Sequence, residues 1–139
     1  MAETFGISKV NQDFNSFEFK ETKCIPIYNF GIFAGPFACI EDKKSKQKVP
    51  LRIFTRKSMF NQLEEKSIFG TARRGLDYYS QYFDLDYPFS KLDLVFVPDI
   101  SYEALSTQGC ISFKEKFLNP EFEDVRNMQA TTILHEIVH

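Results

Sequence analysis

The chain has 139 residues, 43% of them hydrophobic, which is enough to bury the core of one ordinary domain. Its formal net charge is −2 with both signs interspersed. This balance argues against a basic surface for nucleic acid and against a polybasic membrane patch. The three cysteines, Cys24, Cys39 and Cys110, lie far apart in apolar surroundings. We therefore expect buried, reduced thiols in a cytoplasmic protein and no disulfide framework.

Neither the N-terminus nor the longest apolar stretch of the chain indicates membrane targeting. Residues 1–14 lack the basic and apolar regions of a signal peptide. The longest apolar stretch, residues 25–40, is interrupted by Pro26, Gly31, Gly35 and Pro36. It is too short and too broken for a spanning helix, so no transmembrane segment is predicted.

Aromatic and β-branched residues cluster between turn formers over residues 14–40, which predicts the short strands of a sheet. The charged run 41–48 is typical of a solvated hairpin loop, after which residues 49–55 resume as a strand. A long helix is predicted to begin with Ser58 as its N-cap, because apolar residues then recur at helical spacing: Ile68, Ala72, Leu76, Tyr79 and Phe83.

The second half of the chain predicts further strands and a final helix. Residues 92–97 form a near-continuous apolar strand that is expected to be buried on both faces. An irregular stretch, 100–108, precedes a strand predicted over residues 109–118. Acidic residues near position 121 and the absence of proline or glycine beyond it predict a helix that runs to the end.

That helix carries the motif H-E-x-x-H as His135-Glu136-Ile137-Val138-His139, and these are the only two histidines of the chain. Histidines four apart lie on one face of a helix, where both imidazoles can reach a single zinc ion. The intervening Glu136 is then placed to act as a general base for a metal-activated water that attacks a peptide carbonyl. The competing interpretation is chance, since a pentapeptide with three fixed letters also occurs in unrelated proteins.

A catalytic zinc of this type needs a third protein ligand and an open position. An upstream Asp, Glu or Cys could in principle complete the site, but nothing at a recognisable spacing indicates one. We therefore expect the chain to be a fragment with an incomplete active site.

Several segments, in order, resemble zinc aminopeptidases of the alanyl and puromycin-sensitive type. Residues 76–83, Tyr87-Pro88 and 91–99 resemble the entry to the catalytic domain of that family, with its "YP…KLD" and "VPDF" segments. Residues 109–115 are similar to its strand "GLITYRE", and residues 132–139 are similar to its "HExxH" helix. The resemblance is close over residues 50–139 and loose over 15–49.

The resemblance implies an α+β fold, with closing strands of an N-terminal β-sandwich domain in residues 1–49. A truncated, thermolysin-like catalytic domain would then occupy residues 50–139. It also implies that His135 and His139 bind Zn²⁺ and that Glu136 is the base. In the family the third ligand is a glutamate of the following helix.

Aligned without gaps, the family's substrate-binding G-A-M-E-N loop falls on Glu103, Ala104, Leu105, Ser106 and Thr107. Ser106 then stands where the family has the glutamate that holds the α-ammonium of a peptide substrate by a charge-assisted hydrogen bond. Glu103 is the alternative carboxylate.

Two functions remain open from the sequence. The first is a zinc metalloprotease, an aminopeptidase that hydrolyses N-terminal residues from peptides. The strand that begins at Gly109 would then act as the edge that binds the substrate backbone. The second is a catalytically inactive scaffold of the same fold that serves as a protein-interaction module.

Overall fold

The structure is a computed structural model that describes residues 4–11, 14–19, 21, 24–43 and 49–139. Its internal contacts divide the chain into two compact units, Met1–Ile32 and Phe33–His139. Within the described residues no helix is long and apolar enough to cross a membrane.

The first unit contains one antiparallel hairpin. Strand β1, Thr4–Asn11, pairs with β2, Phe14–Phe19. The strand predicted from residue 14 is therefore confirmed. The strands predicted between residues 25 and 33 are wrong, because a 3-10 turn occupies Ile27–Asn29 and the Asn29 amide donates to the Pro26 carbonyl at 3.0 Å.

The second unit is built on a five-stranded mixed sheet with strand order β3-β4-β5-β7-β6. Strands β3, Phe37–Glu41, and β4, Leu51–Arg56, are antiparallel neighbours. Strand β5, Leu92–Val97, runs parallel to both β4 and β7, Cys110–Lys114. Strand β6, Ala104–Thr107, pairs with β7 in antiparallel orientation and forms one edge of the sheet, with β3 at the other. Residues 44–48 of the predicted hairpin loop lie outside the described residues.

One face of this sheet carries the core. Alternate residues of β4 and β5 pack with β7 and with two helices, α1 at Glu65–Phe83 and α2 at Glu123–Val138. All six residues of β5 are buried, as predicted for a strand covered on both faces. The mixed α+β class is thus confirmed.

The long helix begins later than the sequence predicts. Residues Lys57–Gln62 form a 3-10 helix, and α1 starts only at Glu65. The cause is tertiary: the Glu64 amide donates to the Leu118 carbonyl at 3.1 Å, a bond between segments far apart in the chain. Ser58 is therefore not the N-cap of α1.

The predicted strand 109–118 is shorter than expected. Strand β7 ends at Lys114, and Glu115–Phe117 turn as a 3-10 helix. Arg56 forms a bidentate ion pair with Glu115 of this turn. Its Nε lies 2.7 Å from Glu115 Oε1. The turn directs Phe117 into the core.

The predicted domain boundary between residues 49 and 50 is not confirmed. Strand β3 is hydrogen-bonded to β4, so residues 37–41 share a sheet with the segment beyond residue 50. The boundary between the two compact units lies earlier, after Ile32. The assignment of residues 1–49 to an N-terminal β-domain stays a prediction for the whole protein.

The prediction of three buried thiols holds only for Cys110, whereas Cys24 and Cys39 are exposed. Cys110 lies on the interior strand β7, and Cys39 lies on the edge strand β3. Apolar neighbours in sequence do not determine which strand becomes an edge. All three are free cysteines.

Candidate metal and peptide-binding site

Helix α2 places both histidines of the motif on its exposed side. Ile133 and Ile137 are buried against the core, which fixes the rotation of the helix. His135 and His139 consequently project away from the core and are exposed. Glu123 and Asp124 lie in the first turn, where carboxylates interact favourably with the positive end of the helix dipole.

The two imidazoles converge. His135 Nε2 and His139 Nε2 are 3.0 Å apart, and the ring planes are nearly perpendicular at 83°. This is a hydrogen-bonding distance, and which ring donates depends on the tautomers. Two Nε2 atoms this close can both reach one shared tetrahedral metal ion.

These residues fit part of a zinc site. Two imidazole nitrogens are suitable ligands for zinc. Among the residues that the structure describes, no group of three His, Cys, Asp or Glu side chains could hold a metal ion. Glu136 is partly buried on the same helical turn, next to His135.

Strand β6 brings the predicted substrate-binding residues beside α2, against which it packs. Its register pairs Ala104 with Phe113 and Ser106 with Ile111. Because paired residues project to the same side and both partners belong to the core cluster, Ala104 and Ser106 lie on the helix-covered face. Leu105 and Thr107 project to the opposite face.

The alternative carboxylate, Glu103, lies on the face opposite to Ser106. Its backbone carbonyl accepts the Lys114 amide at 3.1 Å, and its carboxylate is 3.2 Å from Lys114 Nζ. It also forms an ion pair with Lys116. The contact with Lys116, followed by that with Lys114, lowers the pKa of Glu103 below its ordinary value. Glu103 is therefore exposed and engaged by two lysines.

The prediction that the strand beginning at Gly109 is an edge strand is wrong. Strand β7 lies between β5 and β6, and β6 is the edge strand on this side of the sheet. A signal for β6 was present, since Gln108-Gly109 is a two-residue turn between β-forming residues. Thr107 pairs with Cys110 across this turn, and Gly109 has a φ of +70°.

A buried charge cluster under this hairpin was not recognised from the sequence. Asp93 accepts two hydrogen bonds from Arg52, at 2.7 and 2.8 Å, and one from the Lys91 ammonium. Lys91 Nζ also donates to the Gly109 carbonyl at 2.9 Å. The alternation of charged Lys91 and Asp93 around buried Leu92 was the available signal.

Residues 68–139 match the peptidase family M1 domain. Aminopeptidase N of Streptomyces lividans is 32% identical over 129 residues, which cover 90% of this chain and 15% of that protein. Aminopeptidase M1-D of Oryza sativa subsp. japonica is 27% identical over 135 residues, covering 94% of this chain and 15% of that protein.

Aminopeptidase N of Canis lupus familiaris is 25% identical over 131 residues, which cover 91% of this chain and 13% of that protein. The chain thus spans about one seventh of the length of these relatives. The domain match covers more than half of the chain and includes α1 from residue 68 onward, all of α2, and the strands between them. The chain therefore belongs to peptidase family M1.

Proposed function

We propose that the whole protein to which this chain belongs is a zinc-dependent aminopeptidase that hydrolyses N-terminal residues from peptides. The observation that carries the proposal is the pair of exposed imidazoles whose Nε2 atoms are 3.0 Å apart beside Glu136. Membership of peptidase family M1 and the aminopeptidase names of its relatives support it.

In this proposal His135 and His139 would hold the zinc ion through their Nε2 atoms. Bound there, zinc would supply Lewis-acid polarisation of the scissile carbonyl and would make a water molecule more acidic. Glu136 would accept the proton of the attacking water and later deliver it to the leaving amine. The buried side of α2, with Ile133 and Ile137, would keep these three side chains in place.

Strand β6 would bind the substrate backbone. An edge strand offers N–H and C=O groups along its outer side, and an extended peptide can add to them as a further strand. Ser106 lies on the helix-covered face of this strand, on the side from which α2 packs. Its hydroxyl could accept a hydrogen bond from an α-ammonium but carries no charge to balance it.

The test is hydrolysis of unblocked peptides by the full-length protein with Glu136→Gln. Glutamine keeps the size of the side chain but cannot accept the proton, so turnover is expected to fall by about 10²–10⁴-fold. Zinc content, measured by atomic absorption, should remain at the wild-type level, because Glu136 is not a ligand in this proposal.

The matched control is Glu123→Gln, which removes one carboxylate from the exposed first turn of the same helix. It should leave turnover close to that of the unmodified protein. Near-normal turnover of the Glu136→Gln protein would show that another group is the base. Zinc binding without hydrolysis of any peptide by the unmodified protein would instead favour the interaction-scaffold function.

A further inference from the structure

Lys91 is a buried lysine immediately before β5, with a side chain only 8% exposed. Lysine is almost never this buried unless its ammonium is paired. Here the ammonium has two partners from different parts of the fold, the Asp93 carboxylate and the Gly109 carbonyl. The second partner links the start of β5 to the turn between β6 and β7.

Lys91 is not the only cation that neutralises the Asp93 carboxylate. Arg52 already binds both carboxylate oxygens of Asp93 in a bidentate arrangement, at 2.7 and 2.8 Å. Such bidentate pairs are among the strongest charge-assisted contacts. Without Lys91, Asp93 would still be paired with Arg52. Lys91 is distinguished from Arg52 by its hydrogen bond to the Gly109 carbonyl.

Residues at the start of β5 contact Gly109 at its carbonyl oxygen and at its Cα. Its carbonyl accepts the Asp93 amide at 3.0 Å as well as Lys91 Nζ at 2.9 Å. A Cβ placed on Gly109 would lie 3.0 Å from the Lys91 carbonyl oxygen. The positive φ and this close approach both require glycine. The turn is therefore fixed against β5 at one residue.

The position of β6 depends on this turn. Strand β6 is four residues long and forms the edge of the sheet, with β7 as its neighbour. In a hairpin the register of the two strands is fixed by the turn that joins them, and a slip of one residue moves every side chain to the other face. Such a slip would move Ser106 off the helix-covered face.

We propose that Lys91 is a positioning residue for the substrate strand: its ammonium fixes Gly109 and thereby the register and placement of β6. Lys91 itself touches no substrate. The expected effect of Lys91 on peptide binding rests on the proposed function. Its effect on the position of β6 does not. The two parts are tested by different measurements.

The structural part is tested by hydrogen exchange and mass spectrometry on the 139-residue chain with Lys91→Met. Exchange of peptides that cover residues 102–114 should accelerate roughly tenfold or more, as expected for losing a hydrogen bond from a charged donor. Peptides from α1 and α2 should exchange at unchanged rates. Lys57→Met, which removes an exposed lysine, is the control and should change neither.

Two more variants separate positioning from general stability. Gly109→Ala places a Cβ against the Lys91 carbonyl and should reproduce the local acceleration, even if Lys91→Met proves too unstable to study. Asp93→Asn leaves the Lys91–Gly109 bond available and should accelerate exchange throughout the sheet. An unchanged 102–114 segment in Lys91→Met, or equal acceleration in α1 and α2, would overturn the proposal.

The functional part is tested by peptide hydrolysis with the full-length protein. Lys91→Met should raise KM for peptides about tenfold, while kcat, measured at saturation, stays close to the unmodified value. Local loosening of the hairpin with an unchanged KM would refute its role in substrate binding. Absence of hydrolysis by the unmodified protein would refute the proposed function and leave the exchange result to decide the structural part.

Discussion

Leu134 of α2 lies directly against Gly75 of α1. A Cβ built on Gly75 would stand 2.8 Å from Leu134 Cδ2 and 3.3 Å from Ile137 Cδ1. The absent side chain of Gly75 thus lets the helix that carries the two histidines pack closely on α1. Leu134 immediately precedes His135, so this contact supports the histidine-bearing turn directly.

We expect Gly75→Ala to lower the free energy of unfolding by up to about 2 kcal/mol. Alanine gains about 1 kcal/mol over glycine in a helix interior. Forcing an extra methyl group into a packed interface costs about 1–3 kcal/mol, and both Leu134 and Ile137 would have to move. Urea unfolding of the chain, followed by circular dichroism, measures the difference.

Gly70→Ala is the matched control for Gly75→Ala. On the same helix, a Cβ at Gly70 would meet only Arg74 Nη1, at an ordinary 3.5 Å. This variant should therefore be more stable than the unmodified chain by about 0.5–1 kcal/mol. Stabilisation by both alanines would contradict the close packing described at Gly75.

The 139-residue chain is expected to bind zinc weakly and through both histidines. Two imidazoles leave the ion mostly to water, so a dissociation constant far above that of a complete protein site is predicted. Calorimetric titration measures it, and His139→Ala should abolish the binding heat. Tight one-to-one binding would mean that an additional residue of this chain completes the site.

Restoring a carboxylate with Ser106→Glu in the full-length protein should favour substrates with a free α-amine. A hydrogen bond between charged groups is worth about 1.5–3 kcal/mol, so kcat/KM for an unblocked peptide should rise by roughly ten- to hundredfold. The same peptide with an acetylated N-terminus should gain nothing.

Glu103→Gln distinguishes the two carboxylate positions. Glu103 is engaged by Lys114 and Lys116 on the opposite face, so its removal should leave the preference for a free amine unchanged. Loss of that preference in Glu103→Gln would identify Glu103 as the residue that binds the ammonium.

Stability at high pH is expected to depend on Cys110. Burial raises the pKa of this thiol from 9.0 to about 12. The folded chain therefore retains a proton that the unfolded chain releases, so the contribution to stability is complete below pH 9 and is lost as the pH rises toward 12. The free energy of unfolding should fall over this range with a slope approaching about 1.4 kcal/mol per pH unit from this group.

Cys110→Ala should reduce that slope without removing it. Burial also raises the pKa of Tyr87 above its ordinary value, and this phenol contributes in the same direction at the upper end of the range. Unfolding curves collected between pH 8 and 11 for both proteins provide the comparison. Identical slopes would show that Cys110 ionises freely in the folded chain.

The sequence by itself determined the features that depend on local periodicity. The spacing of His135 and His139 places both on one face of any α-helix, so their convergence required no tertiary information. The run 92–97 likewise predicted a strand buried on both faces, because all of its side chains except that of Asp93 are apolar. Family membership followed from motifs in a fixed order.

Tertiary structure alone decided where α1 begins, which strand is the edge and what Glu103 contacts. Each depends on a partner distant in sequence: Leu118 for the Glu64 amide, β7 for β6, and two lysines for the Glu103 carboxylate. Residue types limit which partners are possible, but many segments could satisfy the same hydrogen-bonding groups. Only packing of the whole sheet against α1 and α2 selects one arrangement, because burying the shared core fixes the register of every strand together.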